Sequence, residues 1–128
     1  MDIKLGKPGE KLDPELFNSI AQQAAKRIAG DDRRKNDNKP TQLRKFYDEI
    51  VLWDSKVLQH PEKFDEYLPF IRMINAKAAY AKGRKLVDEN FVDMVHKGLQ
   101  QVVCPKTLHT FKLFMEAFMG FYKQERPN

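Results

Sequence analysis

The sequence predicts an all-α fold, a compact bundle of about five helices forming one domain over residues 1–128. Three observations carry that prediction. Apolar residues recur at spacings of three and four through most of the chain, which places them on one face of a 3.6-residue helix. No segment alternates apolar and polar residues strictly over more than a few positions, so no half-buried strand is expected. Pro14, Pro40, Pro69 and Pro105 each stand at or just before the start of a periodic stretch, where a helix tolerates proline best. A chain of 128 residues has room for one real core.

The first twelve residues are expected to be a flexible N-terminus. The first helix is expected from Asp13 as N-cap, with Pro14 at the first helical position and Glu15 in the first turn, to the left-handed cap Gly30. Leu16, Phe17, Ile20, Ala24 and Ile28 form its apolar stripe. Residues 30–40, GDDRRKNDNKP, are dense in charge and turn formers, so a solvent-exposed loop is expected there. The second helix is opened by Thr41 and runs to about Gln59, where His60-Pro61 ends it. Leu43, Phe46, Ile50, Trp53 and Val57 share its buried face. Pro61 to Leu68 reads as a short turn of helix, and Pro69 as the first position of a third helix ending near Gly83, with Phe70, Ile74, Ala78 and Ala81 inward. A fourth helix starts near Asp88, where that carboxylate and Glu89 suit a helix N-terminus, and packs through Phe91, Val95, Leu99 and Val102. Pro105 starts the fifth. There Leu108, Phe111, Phe114, Met115, Phe118, Met119, Phe121 and Tyr122 cover about 200° of the wheel. An arc that wide belongs either to a central helix or to one that meets another chain.

Lysine and arginine number 23 against 18 acids, a net charge of +5. That entire excess falls in Arg72 to Lys85, RMINAKAAYAKGRK, which holds Arg72, Lys77, Lys82, Arg84 and Lys85 and no acid. Charge localised in this way, with a tyrosine at helical spacing among the cations, suits a polyanion, most often nucleic acid; the plain alternative is a solvated helix face. No apolar run approaches the roughly 20 residues needed to cross a bilayer. The N-terminal MDIKLGKPGEKLD has no apolar signal core, so a cytoplasmic protein with no membrane partner is expected.

Catalytic chemistry finds little support in the residues. Cys104, His60, His96 and His109 match no zinc spacing, and Cys104 has no second cysteine with which to form a disulfide. Ser19 and Ser55 fall within helices without a strained elbow. Cys104 and His109 could face each other across the start of the last helix. Adjacent acids such as Asp31-Asp32 and Asp48-Glu49 diverge on a helix, and no Gly-x-x-x-x-Gly-Lys precedes one. The expectation is a protein that is not an enzyme and carries no cofactor and no metal.

Two binding clusters can be specified from helical geometry. Lys77, Tyr80 and Arg84 stand at i, i+3 and i+7, a ladder of cation, aromatic and cation spanning about 10 Å if the helix continues through Gly83. Tyr80 could meet a ribose or base there, or could be a core residue with lysine stems along its edge. Gln42, Arg44 and Lys45 lie in the first turns of the second helix, where backbone amides also favour phosphate. Asp48 and Glu49 follow Arg44 and Lys45 by four residues and offer them ion pairs instead. Arg33, Arg34 and Lys35 in the loop have acids close by and are the weakest candidates.

Thr41-Gln42-Leu43-Arg44-Lys45-Phe46 and Ala76-Lys77-Ala78-Ala79-Tyr80-Ala81-Lys82-Gly83-Arg84 together resemble the paired motifs of one family, the small subunit of the type III-A CRISPR effector, or Csm complex. In that family a Gln-aliphatic-Arg sequence opens one helix and an alanine-rich stretch ending in Tyr-Ala-x-Gly-Arg closes the next. The resemblance covers roughly Asp13 to Tyr122. It implies a non-catalytic subunit of an antiviral ribonucleoprotein, present in two or more copies that line the groove holding guide RNA paired with target RNA. It further implies partners in the large subunit, the repeating backbone subunits and copies of itself, with target cutting and second-messenger synthesis belonging to other subunits. Gln42, Arg44, Lys45, Lys77, Tyr80 and Arg84 are the nucleic-acid-binding residues carried over. Cationic contacts to phosphate position a strand without reading bases, which suits a role where pairing supplies specificity.

The competing reading is a helical adaptor that joins protein subunits through its fifth helix without touching nucleic acid. A small DNA-binding regulator is a third, but no short Gly-containing turn joins two helices of helix-turn-helix length. Arg44, Lys77 and Arg84 discriminate between the first two. Binding RNA requires them exposed on one continuous face, whereas an adaptor tolerates them paired with acids or scattered.

Overall fold

A computed structural model describes residues 3–31 and 36–127. Among the described residues the fold is all-α: α1 (Ser19–Ala29), α2 (Pro40–Gln59), a 3₁₀ turn (Pro61–Lys63), α3 (Phe64–Arg72), α4 (Ile74–Gly83), α5 (Glu89–Gln100) and α6 (Pro105–Glu125). The long α6 runs through the middle, packed on α1 and α2, and buries Leu108, Phe111, Phe114, Met115, Phe118 and Tyr122. Its wide apolar arc is therefore spent inside this chain. Gly98 of α5 lets α6 come close, since a Cβ there would lie 2.1 Å from a ring carbon of Phe111. Phe46 of α2 meets Phe91 of α5 edge to face, with ring centroids 5.2 Å apart.

The helix starts follow local chemistry. Asp88 accepts from the Phe91 amide at 3.1 Å and caps α5. Thr107 Oγ1 accepts from the Cys104 amide at 3.0 Å, which closes the start of α6 behind Pro105.

Three expected boundaries move. Asp13 does accept from the Glu15 amide at 2.9 Å, but residues 14–18 form successive turns and the regular helix begins only at Ser19. The Glu15 carboxylate binds the Ser19 hydroxyl at 2.8 Å and the Asn18 amide at 3.2 Å, holding this turned segment together. Pro69 lies inside α3 rather than opening a helix. An interior proline loses its own N–H and crowds the carbonyl four residues back, and α3 ends soon after it, at Arg72. The chain then breaks at Met73, and the expected third helix is two helices meeting there. In the stretch expected to be flexible, Ile3 and Leu5 are buried. The Gln101 side chain of α5's exit clamps them, donating to the Ile3 carbonyl and accepting from the Leu5 amide at 2.8 Å.

Candidate nucleic-acid interface

Two contacts fix how α2 lies beside α4. The Lys77 ammonium reaches both Glu49 oxygens, at 2.8 and 2.9 Å, and the Asn38 amide donates to the Leu86 carbonyl at 2.9 Å. Pairing 77 with 49 and 86 with 38 means that the helices run antiparallel. The opening turns of α2 thus sit level with the closing turns of α4, and the two sequence clusters come to one end of the bundle. Gln42, Lys45 and Glu49 share a stripe at i, i+3 and i+7, as do Lys77, Tyr80 and Arg84 on α4 and its exit.

The helix does continue through Gly83, with Arg84 as C-cap residue. Tyr80 is 67% exposed, so it is a surface residue and not a core one. The Arg84 guanidinium lies over its ring, 5.9 Å from the centroid. Lys45 and Arg44 are exposed, Gln42 is half-buried, and among the described residues neither cation has an ion pair. Glu49, expected to pair with Lys45 along the helix, pairs with Lys77 across the tertiary fold instead.

Arg44 does not share the α4 side. It turns toward α6 and lines a shallow cleft of about 220 Å³ with Pro40, Thr41, Met119, Tyr122 and Lys123. On the same flank, the Tyr47 hydroxyl meets Glu116 at 3.4 Å; burial first, and then the Glu116 charge, push that phenol above its ordinary pKa. Arg44, Lys77 and Arg84 are all exposed, but they stand on two sides of α2 rather than on one strip, and Lys77 is paired with an acid; as a trio they meet the adaptor expectation, and only Lys45, Tyr80 and Arg84 are left as a candidate RNA face. Arg33, Arg34 and Lys35 lie outside the described residues.

The +5 of the acid-free stretch is partly neutralised from elsewhere in the chain. Lys77 is held by Glu49 of α2 and Lys82 by Glu89 of α5; Arg72 donates to the Val102 carbonyl at 3.2 Å, which fixes the side chain without cancelling its charge. Arg84 and Lys85 keep their charge unpaired among the described residues. The basic character therefore concentrates at the α4 exit.

Other candidate chemistry is not brought together. Cys104 Sγ faces the Thr107 hydroxyl at 3.6 Å and His109 Nδ1 meets the buried Asp54 carboxylate at 3.0 Å, and among the described residues no hydrogen bond joins Cys104 to His109. Burial raises the Cys104 pKa, but hydrogen bonds from Thr107 and the Lys106 backbone outweigh it and leave the thiol below its ordinary value. Among the described residues no group of three or more His, Cys, Asp or Glu could hold a metal ion, and no helix is long and apolar enough to cross a membrane.

The residue that sequence reasoning missed is Asn38. It is fully buried, with φ +55°. Its side chain donates to the Ile28 carbonyl and accepts from the Asp88 amide, both at 3.0 Å. Its carbonyl accepts from the Tyr122 hydroxyl and from Arg126. One residue thereby ties α1, the α4 exit, the start of α5 and the end of α6 to the start of α2. The available signal was an asparagine within a turn-rich run, since asparagine enters the left-handed region more readily than other residues with a side chain.

Residues 11–128 match the family described as Csm2 Type III-A. Comparison with curated proteins and with solved structures finds no match.

Proposed function

The chain belongs to the Csm2 type III-A family, a small subunit of the type III-A Csm complex, and from that premise we propose that it lines the groove holding guide RNA and target RNA. It does so as a non-catalytic subunit in antiviral defence, contacting the nucleic-acid backbone through Gln42, Arg44, Lys45, Tyr80 and Arg84. The observation that carries this reading is the antiparallel seating of α2 beside α4, which brings Lys45, Tyr80 and Arg84 to one exposed end with no acid pairing either cation among the described residues. Lys77 is left out of this contact set because its ammonium already meets both Glu49 carboxylate oxygens.

The subunit also bridges its neighbours, among them the large subunit, the repeating backbone subunits and further copies of itself. Support comes from Met73 and from Phe70, which lies outward and not in the core stripe expected of it: they are 50% and 55% exposed, with Phe70 stacked on Trp53 at 6.1 Å between centroids. Exposed aromatic and methionine side chains grouped this way suit a protein contact. This surface replaces the last helix, which has no free apolar face to offer.

The test is photochemical cross-linking of the reconstituted complex carrying guide and target RNA, with the modified peptides located along this chain. Adducts on the opening turns of α2 and the closing turns of α4 are expected. An assembled, RNA-loaded complex with no adduct in either segment would leave the subunit an adaptor only.

A further inference from the structure

Asn38 gathers more cations around itself than the two sequence clusters contain. The hydrogen bond from its backbone N–H to the Leu86 carbonyl, 2.9 Å long, sets Lys39 and Lys85 one residue out on either side of the junction. Tyr122, whose hydroxyl donates to the Asn38 carbonyl, is followed by Lys123, and Lys123 shares with Arg44 the cleft between α2 and α6. Lys39, Lys85 and Lys123 are all exposed. Two of the acids at this end have partners: Asp88 caps α5 and Glu89 holds Lys82. Lys123 donates to the Pro127 carbonyl at 2.6 Å, a neutral partner that leaves its charge uncompensated.

Lys85 adds an independent observation. The exit of α4 is a Schellman motif: the Leu86 amide donates to the Ala81 carbonyl and the Lys85 amide to the Lys82 carbonyl, each at 2.9 Å. Its left-handed position, at φ +62°, is occupied by Lys85, where glycine is the usual residue and a lysine is strained. Two positions earlier, Gly83 stands in the helix itself, where its freedom is not needed. A cation kept at a strained position points to a use for its side chain.

We propose that the phosphate-binding surface is the end of the bundle gathered around Asn38, and that Lys39, Lys85 and Lys123 grip the RNA backbone there beside Arg44 and Arg84. This rests on the RNA-lining reading and extends it: the strand crosses the ends of α4, α2 and α6 instead of running along α4. Cations drawn from three helix ends make a surface that follows a backbone and is indifferent to sequence.

The experiment uses the whole Csm complex reconstituted with Lys85→Gly, Lys123→Ala or Lys77→Ala subunit, and measures target-RNA affinity at two salt concentrations. Subunit stoichiometry and the melting temperature of the free subunit are measured alongside. Lys85→Gly is expected to melt at the same temperature or higher while weakening target binding and lowering the salt slope by about one unit. Lys123→Ala should lower the slope similarly, and Lys77→Ala should change it little. Wild-type affinity and slope for Lys85→Gly and Lys123→Ala, with a Lys45 and Arg84 double variant still losing affinity, would overturn this proposal and leave the RNA reading standing. If the double variant also binds as wild type, both fall. A complex that loses the subunit on Lys85→Gly or Lys123→Ala places this end at a protein contact and overturns the proposal too.

Discussion

Replacing Asn38 with alanine should cost the fold about 3 kcal/mol. Two side-chain hydrogen bonds disappear, to the Ile28 carbonyl and from the Asp88 amide, each worth about 1 kcal/mol net. The remainder is conformational: φ is +55° here, and an alanine in the left-handed region is roughly 1 kcal/mol worse off than in its ordinary wells. Asn38→Gly removes the same bonds without that strain, so it should lose about 2 kcal/mol. The assay is urea unfolding of the isolated subunit. At a slope of about 1–3 kcal/mol per molar for a small protein, the alanine variant's midpoint should fall by at least about 1 M with the slope unchanged. A loss below about 1 kcal/mol for alanine would refute the assignment of Asn38 as the tie between helices. Equal losses for alanine and glycine would refute the backbone share of it.

Gly98→Ala should destabilise by about 1–3 kcal/mol or more, because its Cβ would lie 2.1 Å from a Phe111 ring carbon; thermal unfolding reads this directly. Gln101→Ala releases the clamp on Ile3 and Leu5, so amide exchange at Leu5 should quicken while the α6 amides keep their protection. The Lys112 hydrogen bond, and then its charge, hold Glu116 below the usual carboxylate range. A depressed folded pKa means that the pair's stabilisation is present above the unfolded value of about 4.3 and is lost as pH falls through the folded one. Both groups are near the surface, so it amounts to a few tenths of a kcal/mol. In an NMR titration, Lys112→Ala should move the Glu116 midpoint upward.

The helical class was legible because the spacing of apolar residues is a local property, and the same holds for the Asp88 cap and for α6, whose apolar arc proved to be that of a central helix. What was not legible depends on contacts between distant residues. Glu49 reads as a partner for Lys45, four positions away, but α4 delivers Lys77 to it; Glu89 likewise takes Lys82 from across a turn. Counting charge along the sequence therefore overstates how basic α4 is. Arg44 and Lys45 are neighbours in sequence, yet about 100° of helix rotation sends them to different sides of α2, and only the packing of α6 reveals that Arg44 shares a cleft with Lys123. Asn38 and Lys123 lie outside both motifs, and their place at the basic end exists only once four helix ends converge. Pro69 misled because a proline inside a helix and one that opens it leave the same local pattern.

The most direct test of the RNA-lining role is target-RNA binding by the reconstituted complex in which Lys45, Tyr80 and Arg84 are all replaced by alanine, measured at two salt concentrations. The account predicts intact subunit stoichiometry, weaker target binding and a salt slope smaller by about two units, one for each lost cation. Wild-type affinity and slope in a complex that retains the triple variant would contradict it and leave a subunit that only joins proteins.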